Sequence, residues 1–243
     1  MIEAKTDEVS WSKITVETVY RTRPAEPRAS LYPTAKRYMD VICAVALLVL
    51  LAPLMALIAL AIRLDSPGPA IFRQKRVGKW GKQFTMFKFR SMHADADEAT
   101  HRKFASDYIN GNGHKKTANS STGDDEVYKP NGDKRVTRVG KWLRRTSLDE
   151  LPQLLNVLKG EMSLVGPRPA VPYEVEEYSR WHLRRLAVVP GMTGLAQISG
   201  RSGLTFEKIV RLDLVYIRRR SLALDMVILL KTIPVVLRAE CAA

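Results

Sequence analysis

Cysteine is nearly missing from this chain, which carries only Cys43 and Cys241. One lies in an apolar run and the other near the end, so no disulfide framework and no metal-ligand spacing follows. Histidine is scarce as well, and His93, His101, His114 and His182 are scattered without a metal-binding pattern. No zinc site is expected. Aromatic residues are 7% of the chain, and they form none of the aromatic–basic platforms that nucleic-acid binding uses. Acidic residues fall short of basic ones, 25 against 39, for a net charge of +14. That balance points to polyanionic partners, among them phosphate-rich ligands and acidic lipid surfaces. A chain of 243 residues suffices for one ordinary domain plus extensions.

What is present is a charge-free run of 22 residues, Val41 to Ile62. It begins too late for an ordinary secretory signal and lacks a small-residue cleavage pattern. About 20 apolar residues cross a bilayer, so length alone suits a transmembrane helix. Pro53 opposes this, since it would bend or break the helix into pieces of 12 and 9 residues. Such pieces reach about 18 and 14 Å, against a hydrocarbon core of about 30 Å. The basic flanks do not orient the segment either. Arg21, Arg23, Arg28, Lys36 and Arg37 before it balance Arg63, Arg73, Lys75, Arg76, Lys79 and Lys82 after it. Two readings stay open, a kinked spanning helix and a segment hinged at Pro53 that dips in and returns.

Residues 1–35, with Pro24, Pro27 and Pro33, read as a flexible tail. After the turn Ser66-Pro67-Gly68-Pro69, two strand-like runs, Ala70 to Val77 and Gln83 to Ser91, predict a basic β-hairpin. Within it, Lys88 between Phe87 and Phe89 is the cation expected to point into a site. Ala94 to Phe104 suits a short charged helix, and residues 110–125 have almost nothing to bury, as in a mobile loop or lid.

The chemistry concentrates in Arg144-Arg145-Thr146-Ser147-Leu148-Asp149-Glu150-Leu151-Pro152-Gln153-Leu154. Ser147 and Glu150 have capping-box spacing, which predicts a helix start here, while Pro152 allows the start to fall at Asp149 or Glu150. Both acids then stand at a helix N-terminus, a place suited to phosphate. A capped helix with first-turn acids and nothing more is the plain alternative. Pro167-Arg168-Pro169 stiffens the backbone around an arginine whose fork matches phosphate oxygens. Tyr173 to Ala187 predicts a helix. The loop from Pro190 to Arg201 is punctuated by glycines that either admit a ligand to the backbone or serve only turns. Phe206 to Ile217 has one apolar helical face. Leu222 to Leu237 is apolar but holds Asp225, Lys231 and Pro234, so it either lies among lipid headgroups or packs on the core.

Several of these motifs, in this order, resemble the bacterial sugar transferase family, the monotopic phosphoglycosyl transferases. The likeness runs from about Lys36 to Leu237. It is carried by Lys36-Arg37-Tyr38-Met39-Asp40, Pro53, Phe87-Lys88-Phe89-Arg90-Ser91-Met92, the Leu143 to Leu154 stretch, Asn156 to Ser163, Val165-Gly166-Pro167-Arg168-Pro169 and the Pro190 to Arg201 loop. The resemblance implies a mainly helical α+β fold. A re-entrant membrane helix hairpin occupies residues 36–64, followed by a cytoplasmic catalytic domain over 65–238 with interfacial amphipathic helices and a small β-hairpin.

It further implies transfer of a sugar-1-phosphate from a UDP-sugar to undecaprenyl phosphate at the cytoplasmic face of the bacterial inner membrane. The implied nucleophile falls on Asp149, with Glu150 beside it and Mg²⁺ held between Asp149 and the diphosphate. Lys88, Arg90, Arg144, Arg168 and Arg201 are the implied substrate-binding cations. An anionic phospholipid membrane is the implied surface, with no nucleic acid, and a homodimer is left open. The rival from another class is a non-catalytic membrane-anchored basic scaffold of a polysaccharide assembly complex. Where relatives often read Arg-Pro-Gly and Thr-Gly-Trp, this chain has Val189-Pro190-Gly191 and Thr193-Gly194-Leu195. Asp133-Lys134-Arg135 likewise replaces a common Asp-Pro-Arg. None of the departures touches Asp149 or Glu150.

Overall fold

The structure, a computed structural model, describes residues 31–93, 98–110, 135–200 and 203–237. Most of the expected N-terminal tail, most of the expected loop at 110–125 and Arg201 lie outside these residues. The architecture is mainly helical, with two two-stranded sheets and one long apolar helix.

That helix, α1, spans Tyr32–Asp65 and runs unbroken through Pro53. It starts inside the segment read as tail, with Pro33 in its first turn, where a missing N–H costs nothing. It is the one helix among the described residues long and apolar enough to cross a membrane. Its middle is bare: Val49 is 72% exposed and Leu50 74%. Its two ends are not. Near the start, Asp40 accepts a hydrogen bond from the Leu164 amide at 3.1 Å, and Arg37 donates to the carbonyls of Val157 and Leu158. At the other end, Ile58 and Ile62 are buried, and Asp65 accepts from the Val139 amide at 3.1 Å.

The predicted hairpin forms. β1 (Ile71–Val77) pairs antiparallel with β2 (Gln83–Phe89), with Phe72 opposite Lys88 and Arg73 opposite Phe87. Phe84 and Met86 of β2 enter the main core, and Phe89 joins a second cluster with Ile58, Ile62 and Leu143. α2 (Glu98–Ile109) follows, then α3 (Arg138–Thr146), whose N-cap Thr137 accepts from the Gly140 amide.

The capping box expected at Ser147 is not made. Ser147 has φ 56°, in the left-handed region; it ends α3 and at the same time opens the next, 3-10, helix without a side-chain capping bond. The chain continues as a 3-10 turn, Leu148–Gln153, which accommodates Pro152 without breaking an α-helical ladder. The α-helix itself, α4, is Leu154–Lys159, closed by Gly160 in the left-handed region.

β3 (Ser163–Val165) pairs in parallel with β4 (Gly191–Thr193). Between them the helix expected over Tyr173 to Ala187 is broken into α5 (Pro172–Glu176) and a 3-10 turn, His182–Ala187. Its interruption is stitched by His182, whose Nδ1 accepts from the Ser179 amide. The short α6 (Leu195–Ile198) precedes α7 (Phe206–Arg219) and α8 (Leu222–Leu237). α8 packs on the core along one face and leaves apolar side chains uncovered on the other. Asp225 and Ile228 are wholly buried, while Met226, Val227, Leu230 and Ile233 remain exposed and apolar.

Candidate active site

Asp149 and Glu150 open the 3-10 turn that follows α3. Because Ser147 bends left-handed, both acids are directed back toward β2, which carries Lys88. The Lys88 ammonium stands 3.0 Å from Glu150 Oε1 and 3.9 Å from Asp149 Oδ2. Arg168 approaches Glu150 Oε1 from the opposite loop at 3.4 Å. Asp149 is only 8% exposed. Burial therefore pushes its carboxyl above the usual carboxylate range, Lys88 opposes that rise, neighbouring Glu150 adds to it, and Arg144 and Arg168 oppose it. Three of the expected cations thus act on one acid pair.

The Arg168 loop is held rigidly along its backbone. Tyr216 donates to the Val165 carbonyl, Gly191 N to that of Pro167, Arg76 to that of Pro169 and Val77 N to that of Ala170. Arg185, ion-paired with buried Asp213 at 2.7 Å, donates to the Arg168 carbonyl at 3.4 Å. A flexible arginine is thereby presented from a fixed base. A cleft beside the acids shares Lys88 and Arg168 with them and is walled by Arg76, Gln153, Gly191 and Met192. The glycine loop meets backbone here: a Cβ on Gly191 would stand 2.0 Å from the Gly166 amide nitrogen. That glycine serves the β3–β4 contact.

Arg90 is not among the groups brought together. Its buried guanidinium donates to the carbonyls of Ile62, Ser66 and Pro67, closing the turn after α1. Arg201 lies outside the described residues. Residues missed by the sequence reading include Arg76, taken only as part of a basic hairpin, and Gln153, one turn beyond Asp149. The proximity of Gln153 to the acids is the available signal; for Arg76 no local pattern distinguishes it from the exposed Arg73 and Lys75 on the same strand.

The donor set fits a magnesium ion of the kind that leans on its substrate. Among the described residues no group of three or more His, Cys, Asp or Glu could hold a metal. Mg²⁺ commonly takes only one or two protein carboxylates and completes its shell with water and substrate phosphates, which is what Asp149 could offer.

The family model described as bacterial sugar transferase matches residues 31–239. The chain is 42% identical over 207 residues to the undecaprenyl-phosphate galactose phosphotransferase of Salmonella typhimurium, covering 85% of this chain and 41% of that protein. It is 42% identical over 215 residues to the UDP-glucose:undecaprenyl-phosphate glucose-1-phosphate transferase of Caulobacter vibrioides, covering 85% and 71%. It is 41% identical over 202 residues to the exopolysaccharide production protein ExoY of Rhizobium meliloti, covering 83% and 85%. The chain thus spans about two fifths of the length of some of these relatives and most of others.

Proposed function

The chain belongs to the bacterial sugar transferase family, and from that premise we propose that it moves a sugar-1-phosphate from a UDP-sugar to undecaprenyl phosphate. The observation that carries this reading is the pairing of one buried carboxylate, Asp149, with a cluster of cations at phosphate-binding distance from its neighbour Glu150.

In the first displacement an Asp149 oxygen attacks the β-phosphorus of the donor. The bond from that phosphorus to the bridging oxygen breaks, and UMP leaves with the electron pair. In the second, a phosphate oxygen of undecaprenyl phosphate attacks the same phosphorus, and the bond to Asp149 breaks. Lys88, Arg144 and Arg168 stabilise charge on the transferring group, which is the main demand of phosphoryl transfer. Glu150 holds Lys88 and Arg168 in place for that task. Mg²⁺, when bound by Asp149 and the diphosphate, would polarise the phosphoryl oxygens as a Lewis acid. Side chains adjacent in sequence do not bracket a sugar from two sides, so a glycosidase arrangement is not supported.

The reading extends to a monotopic enzyme on the cytoplasmic face of the bacterial inner membrane. Its support is that both ends of α1 bond to the same body, through Arg37 and Asp40 at one end and Asp65 at the other. A helix crossing the bilayer upright would carry those two ends to opposite sides. The exposed apolar residues of α8 suit shallow insertion at headgroup level. The polyprenyl tail resists leaving the bilayer by about 0.8 kcal/mol per CH₂, so the enzyme comes to its acceptor.

The test is to incubate the purified protein with a panel of UDP-sugars and undecaprenyl phosphate and follow UMP. Release with at least one sugar is expected. With donor alone, an added mass of one sugar phosphate should appear on the peptide around Asp149, and its absence would overturn the covalent route.

A further inference from the structure

We propose that Asn156 is a positioning residue that sets the height of Lys88 over the acid pair; the inference rests on the reading just given. Asn156 is wholly buried in α4. Its Oδ1 accepts from the Phe87 amide at 3.0 Å, and its Nδ2 donates to the Thr85 carbonyl and to Glu161 Oε2, each at 2.7 Å. Toward β2 the side-chain amide presents one N–H and one carbonyl oxygen in a plane, as a peptide group does, and its second N–H goes to Glu161. It therefore stands in for a neighbouring strand on the edge of β2 that faces away from β1. Phe87 immediately precedes Lys88 and Thr85 lies three residues before it, and Asn156 lies two helical turns beyond Asp149 on the same run. One side chain thus ties the strand carrying the cation to the segment carrying the carboxylates.

The clip is locked from behind. The Asn156 carbonyl accepts from the amides of Glu161 and Met162, and the Glu161 carboxylate returns to Nδ2. Around it lie Phe84, Met86, Leu154 and Val157, all buried, so these hydrogen bonds operate in a low-dielectric setting. Nothing else in α4 reaches the main chain of β2 at residues 85 and 87 in this way among the described residues. A displacement of about 1 Å at a charged catalytic contact can cost on the order of a hundredfold in rate.

Asn156→Leu keeps the branching and heavy-atom count and removes all three side-chain hydrogen bonds. The full-length protein in detergent should show two effects. First, labelling of Lys88 by an amine-reactive succinimidyl ester, read by peptide mass spectrometry, rises severalfold, because the ammonium leaves Glu150. Second, kcat for UMP release falls by about a hundredfold with little change in KM, and the loss shrinks to a few-fold in a Lys88→Met background. Unchanged Lys88 labelling, or an equal loss in both backgrounds, would mean that Asn156 only holds the fold and would overturn the proposal. If the leucine variant does not fold, Asn156→Asp, which retains the acceptor for Phe87, goes through the same two measurements. Labelling does not require turnover, so a wild type inactive on every donor would condemn the proposed function without being mistaken for failure of the clip.

Discussion

Lys88 stands closer to Glu150 than to Asp149, at 3.0 Å against 3.9 Å. The nearer carboxylate holds the cation, and the more buried one stays close enough to feel its charge without being capped by it. On the proposed function, that asymmetry gives Glu150 the supporting role and Asp149 the attacking one.

Asp149→Asn should abolish UMP release and covalent adduct formation while leaving the protein folded. Burial raises the Asp149 carboxyl, so its folded form binds a proton more tightly than its unfolded form. Such a group favours folding at low pH and loses that contribution as pH rises through its folded pKa. The neutral asparagine avoids the loss. Calorimetry at pH 7 should give an unchanged or higher Tm, and measurable turnover in this variant would end the nucleophile assignment.

The same raised carboxyl shapes the pH dependence of turnover. Asp149 attacks only when ionised, so kcat should fall as pH drops through its pKa. Lys88 is the strongest group opposing the rise. Lys88→Met should therefore shift the acidic limb to higher pH in addition to lowering kcat by roughly ten- to a hundredfold. A limb that stays in place would show that Lys88 does not act on Asp149.

Removing divalent metal with excess EDTA should stop turnover, and added Mg²⁺ should restore it. Persistent activity in chelator would leave Lys88, Arg144 and Arg168 to neutralise the phosphates unaided.

Gly191→Ala places a methyl group 2.0 Å from Gly166 N and 2.6 Å from Thr193 O. Backbone cannot yield there as a flexible side chain would, so a cost of about 2 kcal/mol or more is expected from denaturant unfolding. Gly203→Ala, which meets nothing within 4 Å, is the control and should be near neutral.

For topology, single cysteines replacing Tyr38 and Leu64, both exposed near opposite ends of α1, should be labelled from the cytoplasmic side alone in a chain lacking Cys43 and Cys241. Labelling from opposite sides would make α1 an ordinary span.

Alternation along Gln83 to Ser91 and the apolar run of Leu222 to Leu237 were legible because each depends on local pattern, and β2 and α8 appear where that pattern puts them. A helix does start after Ser147, as its spacing to Glu150 indicates, but as a 3-10 helix, and the left-handed Ser147 that also ends the preceding helix makes no side-chain capping bond. The Tyr173 to Ala187 segment carried helical composition but broke where His182 binds its own backbone. Arg90 and Lys88 share one short motif, yet only contacts distant in sequence distinguish a turn-closing arginine from a lysine facing carboxylates. Asn156 carries no local sign of its tie to β2, since Phe87 and Thr85 lie 69 and 71 residues earlier.

Asp225 has no exposed surface, and it is satisfied by Lys36 at 2.8 Å and by Tyr32 and Tyr216. Two of these partners precede it by 189 and 193 positions. Most of the described chain therefore lies between the start of α1 and the acid that fastens it, so a chain cut short of residue 225 would leave Tyr32 and Lys36 without that partner and the start of α1 unclasped.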